Sequence, residues 1–293
     1  MSALSLALTA VLASGSPGAA CDPLPGWEAV ASEARGKYLV LGESHGTLEA
    51  PAATAEYVCA VAEDGPVLLA IEFSSPDNDG FQRAWAKPHD EFRTALFAEV
   101  PDWGARQDGV ASLAMLEMLE RLHALKEAGR DIDIVAFNGA NGDAQRAAFA
   151  GLPGQEPHEA AQAANIREAA QSRDYAHVVV LVGGFHAEKL PAVLGQTPTR
   201  PMANLLAPAN RVVSLVMHSD GGESWSCQLA IGADFDPTEP VTSDMVSCKA
   251  HPAGPSRPPM ERGFHLSKVT EPQSYDGVFA LGKISASPPP TND

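Results

Sequence analysis

Positive charge is scarce in this sequence of 293 residues. It has 20 Lys and Arg residues against 37 Asp and Glu residues, which gives a formal net charge of −17 at pH 7. Because phosphate backbones repel such an acidic chain, we expect no nucleic acid among its partners.

Long apolar runs are also missing, since no stretch approaches the ~20 apolar residues of a membrane-spanning helix, and we expect no transmembrane span. The nearest candidate is ALSLALTAVLASG, residues 3 to 15, which has the length of a signal-peptide core and is followed by small residues. We interpret residues 1 to 20 as a signal peptide and expect a periplasmic or secreted protein. Because GAAC resembles a lipoprotein cleavage site, a lipid anchor at Cys21 is an alternative.

Closely spaced cysteine pairs are lacking as well. The four cysteines, Cys21, Cys59, Cys227 and Cys248, form no C-x-x-C pair, which argues against a zinc knuckle. An even number of cysteines in an exported chain favours two disulfides. Of the three pairings, proximity along the chain favours Cys21–Cys59 and Cys227–Cys248.

Short apolar segments alternate with helical patterns along most of the chain. Buried strands are predicted at 37–43, 66–73, 132–138, 177–184, 211–219 and 275–283, with an edge strand at 223–231. Helices are predicted at 49–64, 90–100, 110–129 and 158–173, and loops at 74–80 and 101–109. This order predicts a three-layer α/β fold with a central, largely parallel mixed sheet flanked by helices.

The chain is long enough for one large domain, which we place at residues 21 to 285. Residues 232 to 274 are rich in Pro, Ser, Gly and Asp, and we expect a long excursion there that a disulfide anchors. Residues 286 to 293 are expected to be a disordered tail.

Four chemically active side chains are predicted at the carboxyl ends of buried strands, where ligands bind in α/β sheets. Glu43 and His45 lie in the turn GESH, Glu72 ends the second strand, and His186 lies in the turn GGFH. Both turns have the form G-x-x-H and are expected to lead into a helix. This set suits a divalent metal ion (Mn, Co or Zn) held by His45, His186 and Glu43, or acid–base catalysis on bound water. A single histidine at a strand end is more often structural, so the repeated turn carries the prediction.

Glycines and one asparagine complete the candidate site. Gly42 and Gly46 belong to the first turn, and Gly183 and Gly184 to the second; amides of these turns are candidates for binding an anionic group. Asn165 is predicted on the inner face of an Ala-rich helix, where it would orient a ligand; a solvated asparagine is the alternative.

The stretch GESHG also fits the G-x-S-x-G pattern of a nucleophile elbow, with Ser44 as the nucleophile. Such an elbow needs an oxyanion loop from an earlier strand. YLVLGE is the first predicted strand, and no HGGG-like segment precedes it. We therefore expect Ser44 to be a spacer between Glu43 and His45, and keep a serine hydrolase as an alternative.

At these turns the sequence resembles the superfamily that contains erythromycin esterases, ChaN-like haem-uptake proteins and Tiki/TraB metalloproteases. The resemblance covers roughly residues 35 to 285 and is carried by LGESHGT, AIEF, AANI, VLVGGFHA and YDGVFAL, in the family's order. It implies an α/β fold with a central sheet. In esterase-like members, a Glu and a His of the first turn and a second acid activate water against a lactone; here these would be Glu43, His45 and Glu72.

The spacing of the first turn separates the branches of this superfamily. Erythromycin esterases have one more residue between Glu and His than ESH has, so the chain is closer to the ChaN and Tiki branch. Tiki-type members imply a metal ion at His45 and His186, and ChaN-type members imply haem.

The sequence therefore predicts an exported hydrolase that cleaves an ester, lactone or peptide bond in a small molecule or peptide. Glu43 or His45 would be the general base, and Glu72 would orient the imidazole or hold a metal ion. His186 would complete the site as ligand or acid. A haem- or metal-binding protein without turnover is the alternative.

Overall fold

The structure is a computed structural model that describes residues 20–194, 197–229, 242, 245–269 and 271–291. The predicted signal peptide, apart from Ala20, lies outside the described residues. The strands, in chain order, are β1 (Tyr38–Glu43), β2 (Val67–Ser74), β3 (Ile132–Asn138), β4 (His177–Gly183), β5 (Ala192–Leu194), β6 (Thr197–Thr199), β7 (Val212–His218), β8 (Gly222–Leu229), β9 (Val246–Ala253), β10 (Gly263–Leu266) and β11 (Gly277–Ala280).

Seven of these strands form one central sheet in the order β10-β11-β7-β1-β4-β2-β3. Neighbours are parallel throughout, except that β10 runs antiparallel to β11 at one edge. The pairs β5–β6 and β8–β9 form separate two-stranded antiparallel sheets. The predicted largely parallel sheet is thus confirmed.

Helices cover both faces of the central sheet. They are α1 (Trp27–Ala34), α2 (Glu49–Val61), α3 (Asn78–Trp85), α4 (His89–Glu99), α5 (Leu113–Glu127), α6 (Asp143–Phe149), α7 (Glu156–Ala170) and α8 (Met202–Leu206). Strand residues alternate between two cores: Leu39 and Leu41 pack with α2 and α5, whereas Val40 packs with α7 and α8. This alternation produces the three predicted layers. None of the described helices has the length and hydropathy of a membrane span.

Two predicted local structures are wrong. Residues 74 to 80, predicted as a loop, form a 3-10 turn, Ser75–Asp77, and the start of α3. There Phe81 and Trp85 are buried, so tertiary packing overrides the loop-forming composition. The second G-x-x-H turn itself forms a 3-10 turn, Gly184–Ala187, and the next element is β5 rather than a helix.

The predicted excursion contributes strands where it is described. β9 pairs with β8, and β10 joins the edge of the central sheet. Residues 232–241, 243, 244 and 270 of this segment lie outside the described residues.

The chain from residue 286 to 291 is packed, which contradicts the predicted disordered tail over these residues. Ser287 is fully buried, and its hydroxyl accepts a hydrogen bond from the Ala114 amide at 2.9 Å. Its own amide donates to the Gly46 carbonyl at 2.8 Å. The tail therefore braces the first G-x-x-H turn, a long-range contact that its polar composition does not reveal. Residues 292 and 293 lie outside the described residues.

Both predicted disulfides are present, Cys21–Cys59 and Cys227–Cys248, and no cysteine is left free among these four. The first ties the segment before α1 to α2, and the second joins β8 to β9. Because the Cys21 sulfur is bonded to Cys59, it has no valence left for a thioether-linked lipid. The structure therefore gives no support to the alternative of a lipid anchor at Cys21.

Candidate acid–base site

The site lies at the carboxyl ends of three adjacent strands of the central sheet, β1, β4 and β2. Glu43 is the last residue of β1, Glu72 lies near the end of β2, and Gly183 ends β4 between them. His45 follows β1 by two residues, and His186 lies in the 3-10 turn after β4. The parallel arrangement brings these ends to one edge, and the four predicted side chains meet there.

His45 lies between two carboxylates. Its Nδ1 is 3.0 Å from Glu43 Oε1, and its Nε2 is 3.3 Å from Glu72 Oε2. Both carboxylates are buried, whereas a quarter of the imidazole side chain is exposed. The imidazole is therefore held in one orientation and remains accessible from solvent.

His186 has an acidic partner that the sequence analysis missed. Its Nδ1 is 2.7 Å from Oε2 of Glu159 on α7, and its Nε2 is 3.7 Å from Glu72 Oε1. Glu159 also accepts a hydrogen bond from the Met202 amide at 2.8 Å. The sequence did contain a signal for this partner. Glu159 precedes Gln162 by three residues and Ile166 by seven, and this spacing places it with them on the buried face of an Ala-rich helix.

The two Glu–His pairs, Glu43–His45 and Glu159–His186, converge on Glu72. In each pair Nδ1 faces a buried glutamate and Nε2 faces Glu72. A histidine that donates Nδ1–H to a carboxylate keeps Nε2 for proton transfer. The site thus has two oriented imidazoles that share one carboxylate.

Gly183 supports Glu72 and leaves space between the imidazoles. Its amide donates to Glu72 Oε2 at 2.7 Å, so this amide is not available to the anionic group that we expected it to bind. A Cβ at Gly183 would lie 3.0 Å from His45 Nε2 and 3.5 Å from His186 Cδ2. The missing side chain therefore keeps room between the two rings.

The other predicted glycines serve close packing. A Cβ at Gly42 would meet the Ala187 side chain at 2.7 Å, and one at Gly184 would lie 3.6 Å from the Glu43 carbonyl. Gly46 has φ +71° and touches the Trp225 carbonyl, so it permits a turn that a larger residue would strain. These contacts fix the turns around the site.

Asn165 is occupied by the protein itself. Its Nδ2 donates to the carbonyls of Phe137 at 2.9 Å and Gly139 at 2.8 Å, and its Oδ1 accepts from Gln145 at 2.8 Å. It is also buried. The sequence predicts that Asn165 orients a ligand or, alternatively, is solvated. In the structure its side chain instead ties α7 to the end of β3.

The charges of the cluster depend on one another. Burial favours neutral His45, but the Glu72 and Glu43 carboxylates outweigh it and raise the His45 pKa to about 10. Burial likewise opposes ionised Glu72, yet His45, His186 and the Gly183 amide lower its pKa to about 2. Burial raises the pKa of Glu43. At neutral pH the centre of the site is therefore a His45 imidazolium beside a Glu72 carboxylate.

The pKa of His186 is also shifted. Burial acts to lower this pKa, but the hydrogen bond that His186 donates to Glu159 and the negative charge of Glu72 outweigh burial and raise it. The stabilising glutamate makes His186 a stronger base than a free imidazole.

Ser44 lies apart from this chemistry. It is exposed, and both nitrogens of His45 face carboxylates instead of the hydroxyl. The nitrogens of His186 face Glu159 and Glu72. Neither imidazole is placed to activate the serine in this structure.

Metal ligation was the other predicted chemistry. The part of the chain that the structure describes holds no group of three or more His, Cys, Asp or Glu side chains arranged to bind a metal ion. Glu43 contacts Nδ1 of His45. Nε2, on the other side of the ring, faces Glu72, which also faces His186. A metal ion held by His45, His186 and Glu43 stays a prediction.

Comparisons with known proteins show the fold. No protein-family model matches the chain, and no curated protein matches it significantly in sequence. Among solved structures, a succinoglycan biosynthesis protein superposes with a TM-score of 0.60 at 11% identity, over 91% of this chain and 92% of that one. A Bacillus cereus protein gives a TM-score of 0.56 at 10% identity, over 90% and 93%.

A third solved structure is an erythromycin esterase, EreC, in its open conformation. It superposes with a TM-score of 0.51 at 12% identity, over 78% of this chain and 79% of that one. The chain therefore shares its fold with an esterase of the superfamily that its turns resemble. Similarity at this identity concerns the fold alone.

Proposed function

We propose that this protein is an exported hydrolase that cleaves an ester, lactone or peptide bond with an activated water molecule and without a covalent intermediate. The observation that carries the proposal is the convergence of two Glu–His pairs on Glu72 at the carboxyl edge of the sheet. The fold shared with an erythromycin esterase supports it. The two disulfides support export, because disulfides persist in oxidising compartments.

The two imidazoles take different roles because their surroundings differ: two carboxylates lie close to His45, whereas, among the described carboxylates, only that of Glu159 lies within hydrogen-bond distance of His186. His45, with a pKa of about 10, is an imidazolium at neutral pH and cannot accept a proton there. This revises the expected role of His45 as general base. His186 accepts the proton of the attacking water at Nε2, while Glu159 on Nδ1 stabilises the imidazolium that forms.

His45 then serves as the acid. As water attacks the carbonyl carbon, the bond to the leaving group breaks and His45 Nε2 donates a proton to the leaving oxygen or nitrogen. At the end of this step His186 holds the proton taken from water and His45 has lost one. Glu72, whose carboxylate faces Nε2 of both rings, passes the proton from His186 to His45 and restores the starting charges. Glu43 holds the His45 ring through Nδ1.

Membership of the ChaN and Tiki branch is part of the proposal and rests on the short ESH spacing of the first turn. The steps above use side chains alone. Elemental analysis of untagged protein tests for a bound Mn, Co or Zn ion. A haem titration monitored at the Soret band tests the binding-protein alternative.

The test of the hydrolase proposal is a panel of p-nitrophenyl esters, lactones and peptides with the wild-type protein and the His186→Gln variant. Loss of a general base typically costs about 10²–10⁴-fold in rate, and we expect a loss of that size. His251→Gln is the control, because His251 lies in β9 and contacts the Ser247 carbonyl. Absence of turnover on the whole panel, or full activity in His186→Gln, would contradict the proposal.

A further inference from the structure

A third imidazole lies beside the acid–base site and takes no part in the steps above. The ring of His158, on α7, has its centroid 6.0 Å from that of His186. His158 directly precedes Glu159 and is half-buried. It therefore stands next to the proposed general base and remains accessible.

Gln162 determines which nitrogen of His158 carries the proton. Gln162 Nε2 is 2.9 Å from His158 Nε2 and 2.8 Å from Asn138 Oδ1. An amide nitrogen only donates, so both of its hydrogens are used and His158 Nε2 accepts. His158 is then neutral and carries its proton on Nδ1.

The opposite orientation of the Gln162 amide is less favourable. The side chain is fully buried, and its Oε1 has no partner among the described residues. A flipped amide would instead leave an NH2 group with two hydrogens unpaired, and buried unpaired donors are rarer than acceptors. The geometry thus assigns the Nδ1–H form of His158.

The Nδ1–H of His158 lies near Gly139, which carries no side chain. It makes no hydrogen bond within the described residues, and a Cβ at Gly139 would lie 3.9 Å from this nitrogen. Gly139 has φ +74°, which disfavours any side chain at that position. The donor therefore lies beside a residue without a side chain, and its ring neighbours that of the general base.

We propose that His158 donates its Nδ1–H to the carbonyl oxygen of the substrate, the atom that becomes negative when water attacks. The proposal rests on the hydrolase function above and adds the group that binds the developing oxyanion. A preorganised donor aimed at such an oxygen stabilises the transition state. Burial lowers the pKa of His158, which keeps this ring neutral while His45 is cationic.

The experiment measures binding of ethyl methylphosphonate, a tetrahedral anion that resembles the oxyanion intermediate, to the full chain. We expect the Nδ1 signal of His158 in 15N-histidine-labelled protein to shift on binding. His158→Phe keeps a ring but removes the donor, and should bind about tenfold more weakly or worse. His158→Gln keeps an N–H donor and should recover part of the affinity, which a purely structural role would not predict. His251→Phe is the matched control.

Equal affinity of wild type and His158→Phe would overturn the proposal, as would a wild-type protein that does not bind the phosphonate. The ester panel separates this outcome from failure of the proposed function. If the wild type hydrolyses esters and His158→Phe does so equally well, only the role of His158 is wrong. If the wild type binds the phosphonate through His158 but hydrolyses nothing on the panel, the hydrolase proposal is wrong and the anion site stands.

Discussion

Replacement of Gly183 by alanine tests whether the space between the two imidazoles is needed. The backbone at this residue has φ −57° and ψ 144°, which any residue can adopt. The new methyl would lie 3.0 Å from His45 Nε2, 3.5 Å from Glu72 Oε2 and 3.5 Å from His186 Cδ2. The substitution therefore changes the site while leaving the strand intact.

The expected magnitude follows from these distances. A carbon atom 3.0 Å from a ring nitrogen is too close by a few tenths of an ångström, so His45 must move away from Glu72. The methyl also occupies room that an attacking water would use. Because a 1 Å displacement of catalytic groups can cost about 10²-fold, we expect kcat/KM to fall by about 10- to 100-fold. Stability should change by no more than about 1 kcal/mol, since an alanine reduces the entropy of the unfolded chain.

The assay combines kcat/KM on any ester that the wild type hydrolyses with thermal unfolding and the 15N signals of the histidines. Gly151→Ala is the control, because a Cβ there would meet nothing within 4 Å. A Gly183→Ala protein with full activity and unchanged His45 and His186 signals would refute the reasoning. A protein that unfolds much earlier than Gly151→Ala would show that Gly183 is needed for folding instead.

Three further predictions follow from the same structure. Ser44→Ala should change turnover by about tenfold or less, whereas His45→Ala should cost about 10²–10⁴-fold; a covalent fluorophosphonate adduct on Ser44 would reverse this order. Glu72 has a folded-state pKa of about 2, below its ordinary 4.5, so it stabilises the fold above pH 4.5 and loses this effect as pH falls towards 2. Acid unfolding of Glu72→Gln should therefore vary less over that interval, and an identical pH dependence would contradict the ion pair. The disulfide Cys21–Cys59 closes a separation of 38 residues and should add about 4 kcal/mol to the free energy of unfolding, so the Cys59→Ser variant should melt at a lower temperature than the wild type. Thiol titration of the unreduced, unfolded wild type should find no free thiol.

Periodicity and turn chemistry were enough to predict the main strands. YLVLGE, PVLLAIEF, IDIVAFN and HVVVLVGG are apolar runs with glycine or polar ends, and all four form strands of the large sheet. A buried parallel strand must be apolar on both faces, so this pattern is visible without tertiary information. The same reasoning placed Glu43, His45, Glu72 and His186 at strand ends.

Packing decided where composition was ambiguous. Residues 74 to 80 have the composition of a loop, but the chain continues into α3 because Phe81 and Trp85 are buried there. The tail after residue 285 has no apolar pattern, yet Ser287 is buried against the start of α5 and the first turn. Such contacts join residues far apart in the chain, and no local pattern specifies them.

The sequence by itself determined which residues end the main strands, because that depends on local pattern, and proximity along the chain favoured the cysteine pairing that the structure shows. Only the tertiary structure placed β4 between β1 and β2, and this order brings His186 to the carboxylate that also faces His45. It also laid α7 over the same edge, where Glu159 binds His186 and Gln162 fixes the proton of His158. The charges followed from that placement, since a histidine pKa of about 10 requires two carboxylates within hydrogen-bond reach in a buried site.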